Sequence, residues 1–213
     1  MSATSTSVSA TSVDAACPVD GCSIPIDLII ESSDGNRLGA HTKNLEMFNT
    51  AFPLTTSVTH DTNDVVKLSE KNTVLVLLLQ FSHYQEHEDL CGKGLDLVLD
   101  LAAAAEKYGN HFAAMAAREA INYYAKLSSD NAIRVIPYKA THSDLKGMDE
   151  IVRSTMDLPL LTALQCMKSY PEVFYAYALF REKYKASRDS RNHLDWESCE
   201  RYAADPWYSR NIL

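Results

Sequence analysis

The sequence predicts an α+β fold in which a β-hairpin leads directly into a helix and a mostly helical chain follows. Residues 26–30 form a β-branched run, and residues 32–36 carry turn residues in which Gly35 can adopt a positive φ. Residues 37–40 can return antiparallel to the first run. From His41 onward, the apolar residues Leu45, Phe48 and Phe52 follow a helical spacing.

The remaining elements are predicted from apolar periodicity and from helix start and stop signals. Residues 65–68 indicate a third short strand, and the apolar run after Asn72 favours a buried helix reaching about Tyr84. A helix from Leu95 to Tyr108 ends at Gly109. Further helices are expected at 112–127, 130–138, 142–156, 158–168 and 171–188, with Pro137 marking a boundary or a first turn.

Composition and charge exclude several functional classes. The chain has 213 residues, 46% of them hydrophobic, and a net charge of −8, which disfavours non-specific attraction to nucleic acid or anionic membrane. The locally basic run from Arg181 to Arg191 is interpreted as the solvent-exposed face of a terminal helix. We therefore expect neither direct nucleic-acid binding nor membrane association.

Cysteine usage and the N-terminus indicate the compartment. Five cysteines are scattered along the chain, a number and spacing typical of reduced thiols. The first residues lack the basic and apolar regions of a signal peptide. An intracellular protein of the cytoplasm or nucleus is expected.

The sequence divides into three predicted segments. Residues 1–23 are rich in Ser, Thr and Ala without apolar periodicity and are expected to be disordered. Residues 24–127 form the predicted α+β domain. Residues 128–213 form an all-helical C-terminal extension.

Two patterns suggest metal chemistry. His83, Glu86 and His87 match H-x-x-E-H, in which two histidines one helical turn apart bind zinc and the glutamate activates water. This makes a zinc metallopeptidase-like site a weak alternative to a solvated helix end. Cys17 and Cys22 are spaced C-x4-C, but no matching Cys/His pair follows in the sequence. We expect two free thiols in a tail, no metal and no cofactor.

His41 stands where the second strand meets the first helix. It is expected to be a structural histidine whose ring bonds the backbone there. Neighbouring Thr42 and Lys43 supply neither a nucleophile nor an orienting partner, so catalysis is not expected. The chain is predicted to be a non-enzyme without a small-molecule substrate.

Three segments, taken in order, resemble the BTB/POZ family, in particular the BTB-domain proteins expanded in mushroom-forming fungi. They are Asp27-Leu-Ile-Ile-Glu-Ser-Ser-Asp-Gly with the following Ala40-His41, Val65-Val-Lys-Leu-Ser-Glu with the apolar helix after it, and Leu95 to Tyr108 with its "A-x-KY" ending. The similarity covers residues 24 to about 127, and 171–178 resemble the family's helical tail.

This resemblance implies a small mixed sheet flanked by helices that self-associates and recruits partner proteins without catalysis. It implies a homodimer interface on the first helix, with Met47 and Phe48 partly exposed, and it marks Asp27 and His41 as interaction residues. The position after Ala-His is usually basic, but here it is Thr42, so the charged pocket with Asp27 is incomplete. Cullin-recruiting members carry a glutamate motif before the third strand, and residues 53–64 contain no Glu. A cullin adaptor stays as the alternative.

Overall fold

The computed structural model describes residues 15–52, 65–186 and 195–203, and every structural statement below refers to these ranges. The chain divides into two compact units. The first comprises residues 1–89 and 100–117, and the second comprises residues 90–99 and 118–213. Each unit is described by itself.

The first unit is built on a three-stranded sheet. Strands β1 (Leu28–Glu31) and β2 (Arg37–Ala40) pair antiparallel, with Leu28 opposite Ala40. Strand β3 (Val65–Lys67) pairs parallel to β1, which gives the order β2-β1-β3. Gly35, with φ of 80°, closes the hairpin, and its N–H donates to Ser32 O at 3.0 Å. The predicted hairpin and third strand are confirmed.

Two complete helices and parts of two longer ones flank this sheet. They are α1 (Thr42–Phe48), α2 (Asn72–Gln80), the end of α3 (Leu95–Tyr108) and the start of α4 (His111–Leu127). The core is apolar and almost fully buried, and includes Ile30, Leu45, Leu75, Leu78 and Leu101. Burial of these side chains supplies the main driving force for the unit.

The second unit is helical. It contains a 3-10 turn (Leu90–Gly92), the start of α3, the end of α4, and the helices α5 (Ser129–Thr141), α6 (Met148–Arg153), α7 (Leu160–Met167), α8 (Pro171–Ala186) and α9 (Trp196–Ala203). Its fully buried side chains include Ile121, Ile133, Ile136, Tyr177 and Trp196. The described residues thus form an α+β protein with a small sheet and mainly helical structure, as the sequence predicts.

Several predicted details differ from the structure. Pro137 lies inside α5 rather than at its boundary, because the buried neighbours Val135 and Ile136 hold the helix together around the missing N–H. Helix α2 ends at Gln80, before the predicted Tyr84. Arg181 is buried rather than on a solvent-exposed face, and its Nη1 donates to Leu158 O at 2.6 Å.

The predicted tail divides at residue 15. Residues 1–14, together with 53–64, where the cullin motif was sought, lie outside the described residues. From Ala15 to Ser23 the chain is not an isolated tail: Gly39 N–H of β2 donates to Ala16 O at 2.9 Å, and Val19 is buried. Backbone pairing and apolar burial offset the ordering entropy that its composition implied.

None of the helices in the described ranges combines the length and the apolar character needed to cross a bilayer.

Candidate metal centre

Four side chains from three separate places in the first unit meet in one cluster. Cys17 and Cys22 come from the segment before the sheet, His41 follows β2, and His83 follows α2. Their ligand atoms, two Sγ and two imidazole nitrogens, all lie within 4.8 Å of one another. The two histidines are buried and the two cysteines are half-buried.

A tight turn places both thiols on the same side of the segment. Between the cysteines, the Cys22 N–H donates to Val19 O at 3.2 Å. Gly21 supplies a φ of 71° at this turn, a conformation that L side chains rarely adopt. The C-x4-C loop is therefore folded back on itself, and its spacing lies within the range of structural zinc sites.

The backbone fixes the orientation of both imidazole rings. The Nδ1 of His41 lies 2.8 Å from Pro25 O, and the Nδ1 of His83 lies 2.7 Å from Leu79 O. A carbonyl only accepts, so each Nδ1 carries the proton and each Nε2 keeps its lone pair. This is the arrangement by which proteins present histidine to a metal.

The distances between sulfur and nitrogen match the edges of a coordination tetrahedron. Bond lengths of about 2.3 Å for Zn–S and about 2.05 Å for Zn–N give a tetrahedral S···N edge of about 3.6 Å. Nε2 of His41 lies 3.2 Å from the Cys22 Sγ, and Nε2 of His83 lies 3.6 Å from the same sulfur and 3.5 Å from the Cys17 Sγ. The cluster already has approximately the dimensions of a metal-binding site.

Burial favours the neutral forms of His83 and Cys17 in the absence of a cation. Desolvation lowers the pKa of His83; the hydrogen bond to Leu79 O acts the other way, and nearby His41 lowers it further. Burial also raises the pKa of the Cys17 thiol, and the neighbouring Cys22 adds to this. Neutral imidazole is the ligating form of histidine, whereas a bound cation would replace the thiol protons.

The sequence expectation for Cys17 and Cys22 is wrong in one respect. The matching pair is present, but it is divided between His41 and His83, which come together only when the hairpin and α2 have folded. The expected backbone bond of His41 is confirmed by its contact with Pro25 O. Nothing in the local spacing around either histidine signals that it faces a cysteine.

The H-x-x-E-H pattern does not form the helical arrangement that zinc peptidases use. Residues 83–87 lie beyond the end of α2, and His83 is buried rather than solvated. The ring of His87 stacks against Phe81, with 4.4 Å between ring centroids, whereas Nε2 of His83 faces the cysteines. Glu86 is exposed. Of this pattern, His83 is the member that belongs to the Cys/His cluster.

Asp27 stabilises the start of α1. Its Oδ1 accepts the Thr42 N–H at 2.8 Å, and its Oδ2 accepts the Thr42 hydroxyl at 2.6 Å. His41, the residue at the N-cap position, makes no side-chain capping bond, so Asp27 takes that role from the neighbouring strand segment.

The other two predicted interaction residues lie on an exposed apolar surface. Met47 is 69% exposed and Phe48 is partly exposed, which confirms the predicted exposure. The ring of Phe48 contacts Phe112 of α4, with 5.9 Å between centroids, and Phe112 and Met115 are themselves exposed. We call these four residues, Met47, Phe48, Phe112 and Met115, the α1–α4 apolar face.

Comparison with known proteins assigns no family to this chain. No family model matches the sequence, and no curated protein matches it at a significant level. The BTB/POZ resemblance stays a prediction.

Proposed function

We propose that this chain is a non-catalytic protein-interaction module of the BTB/POZ type, which self-associates inside the cell and scaffolds partner proteins. The observation that carries the proposal is the α1–α4 apolar face. Phe48 and Phe112 join the two helices there through a ring contact, and Met47 and Met115 are exposed on the same two helices instead of entering the core. Clustered apolar side chains on a surface are typical of protein contact sites.

The chemistry of this face favours a second copy of the chain as occupant. Methionine and phenylalanine are enriched at the centres of protein interfaces, where charged residues are depleted. Lys43 and Glu46 lie on the same helix with opposite charges. A two-fold axis places the same surface of two copies face to face, so Lys43 of one copy can lie opposite Glu46 of the other at the edge of the interface.

An intracellular location is part of the proposal. No disulfide joins any of the five cysteines, all of which lie in the described ranges. Thiols stay reduced in this way in reducing compartments. This supports the cytoplasm or the nucleus as the place of action.

The test compares substitutions on two exposed apolar surfaces. Met47→Glu and Met115→Glu place a charge on the α1–α4 apolar face, where the native side chains are 69% and 61% exposed. Leu161→Glu is the matched control on α7, where the leucine is 63% exposed. Because these side chains are exposed, none of the three substitutions disturbs the core.

Sedimentation velocity over a concentration series gives the readout. Wild type is expected to sediment at twice the chain mass of 23.7 kDa. Burying a methionine is worth about 1.5–3 kcal/mol, and a two-fold interface contains each methionine twice, so either Met→Glu variant should weaken the dimer by about 100- to 10,000-fold, with Leu161→Glu unchanged. A wild-type monomer at every concentration contradicts self-association, and a dimer broken only by Leu161→Glu moves the interface to α7.

A further inference from the structure

We propose that Cys17, Cys22, His41 and His83 bind one Zn²⁺ ion in a closed, structural Cys2His2 site. The four donor atoms lie within 4.8 Å of one another. Both imidazoles are held by backbone carbonyls with Nε2 aimed at the sulfurs. These two observations are independent, since the first concerns spacing and the second concerns which ring nitrogen is free to ligate.

The donor set selects the metal. Two thiolates and two imidazoles in a tetrahedral arrangement suit Zn²⁺, whereas Mg²⁺ and Ca²⁺ require oxygen ligands. Backbone carbonyls hold the Nδ1 atoms of both histidines, which is the outer-shell support that metal-binding histidines usually have.

Hydrogen bonding alone accounts for the cluster less well. A thiol has one proton to donate, yet the Cys22 Sγ lies 3.2 Å from one Nε2 and 3.6 Å from the other. If both Nδ1 atoms carry protons, both Nε2 atoms are acceptors, so the Cys22 thiol can serve His41 and the Cys17 thiol can serve His83, 3.5 Å away. The remaining short contact, between the Cys22 Sγ and the His83 Nε2, then has no proton. A cation shared by all four groups explains every short contact.

The site is structural rather than catalytic. Catalytic zinc keeps one position for water or substrate and takes three protein ligands, but here four protein donors complete the shell. The two histidines are buried, with 2% and 6% of their surface exposed. A bound zinc ion therefore joins parts of the chain and activates no water.

The parts that it joins indicate its purpose. Strand β2 lies at the edge of the sheet, and the outward Gly39 N–H bonds the Ala16 carbonyl. The zinc ion would fasten the segment carrying Cys17 and Cys22 to the end of β2 and to the turn after α2. This segment covers part of an open edge, the feature of a sheet most prone to pair with another chain.

Metal analysis of the full-length, reduced protein tests the proposal. Wild type purified without added chelator should contain about one zinc per chain, the stoichiometry of a single structural site. Cys22→Ser and His83→Ala should fall to background. Matched controls are Cys91→Ser and His87→Ala, which replace the same residue types outside the cluster and should keep the full zinc content.

A second measurement does not depend on the variants folding. Titrating wild type with a thiol-blocking mercurial should release about one zinc per chain to a colorimetric indicator, because thiolates hold the metal. Substituting Co²⁺ should give a thiolate charge-transfer band and the visible bands of tetrahedral cobalt. The proposal is overturned by background zinc in wild type that also fails to rise after reconstitution, by a Cys17–Cys22 disulfide in the reduced preparation, or by equal zinc loss in Cys91→Ser.

Discussion

The Nε2 atom of His41 lies 3.2 Å from the Sγ atom of Cys22, a residue nineteen positions earlier in the chain. The same sulfur lies 3.6 Å from Nε2 of His83. His83 comes after α2, the helix that follows β3 in the chain. One thiol thus connects the segment before the sheet, the end of the hairpin and the end of α2. The consequences of this connection can be measured separately from metal content.

Zinc removal should release the segment that covers β2. The Gly39 amide is protected by its bond to Ala16 O, and Ala16 directly precedes the proposed ligand Cys17 in the chain. On chelation, amide hydrogen exchange at Gly39 should accelerate at least about tenfold, as expected for local opening. The Leu68 amide, which bonds Glu31 O on the β3 side of the sheet, serves as control and should not change. Equal exchange at Gly39 with and without metal would show that the segment is held by other contacts.

Gly21→Ala should weaken zinc binding without removing a ligand. Gly21 has φ of 71°, and a Cβ there meets nothing within 4 Å, so the effect is one of backbone strain alone. An alanine in this conformation costs about 1 kcal/mol, which lowers zinc affinity about fivefold in a competition titration with a chromophoric chelator. Gly92→Ala is the control, because Gly92 has an ordinary φ and open space around it. Similar affinities for both variants would rule out a strained turn between the cysteines.

A carboxylate at the end of β3 should make stability depend on pH. Glu70 accepts hydrogen bonds from Lys107 Nζ at 2.7 Å and Tyr108 Oη at 2.6 Å. Burial alone would raise the pKa of Glu70, but the bonds from Lys107 and Tyr108 outweigh it and hold the pKa below its ordinary value. Burial and the bond to Glu70 raise the pKa of Tyr108 to about 12.

Because the folded-state pKa of Glu70 is depressed, its contribution is complete above the unfolded-state value and is lost as pH falls through the folded-state value. Glu70→Gln should therefore cost about 1 kcal/mol at pH 7 in urea unfolding, a figure reduced for the half-exposed Lys107. The difference from wild type should shrink as the pH falls below the ordinary range of a glutamate. A difference that stays constant in acid contradicts the ionic character of this contact.

The second unit contains an ion pair with a fully buried lysine, and removing that lysine should destabilise the protein. Lys139 is fully buried, and its Nζ donates to Asp144 Oδ2 at 2.7 Å and to the side-chain Oδ1 of Asn122 at 2.9 Å. Lys139→Met should destabilise the protein by about 1–3 kcal/mol, because Asp144, whose side chain is 13% exposed, keeps a largely desolvated charge without its partner. Lys139→Met combined with Asp144→Leu should recover much of that loss in the same unfolding assay. An additive double variant would show that the two charges do not interact.

The sequence predicts the parts of this structure that depend on local patterns. The hairpin around Gly35, the third strand and the helix from Leu95 to Tyr108 follow from turn chemistry and apolar periodicity, and all are present. Pro137 inside α5 could not be predicted, since the packing that tolerates it comes from distant side chains. Local propensity is a weak prior where tertiary burial decides.

The Cys/His cluster is a second feature that local sequence patterns could not predict. The C-x4-C spacing is visible in the sequence, whereas His41 and His83 are separated by a strand and a helix and have different neighbours. The two rings, with 5.2 Å between their centroids, come together where α2 packs against β2 in the folded unit. A composition rich in Ser, Thr and Ala also predicts disorder for residues that a metal can order.

X-ray absorption at the zinc edge of the purified, reduced protein tests the metal centre most directly. The account predicts a four-coordinate first shell with two sulfurs at about 2.3 Å and two imidazole nitrogens at about 2.0–2.1 Å. A shell of oxygen and nitrogen alone, or the absence of zinc after reconstitution, would contradict it.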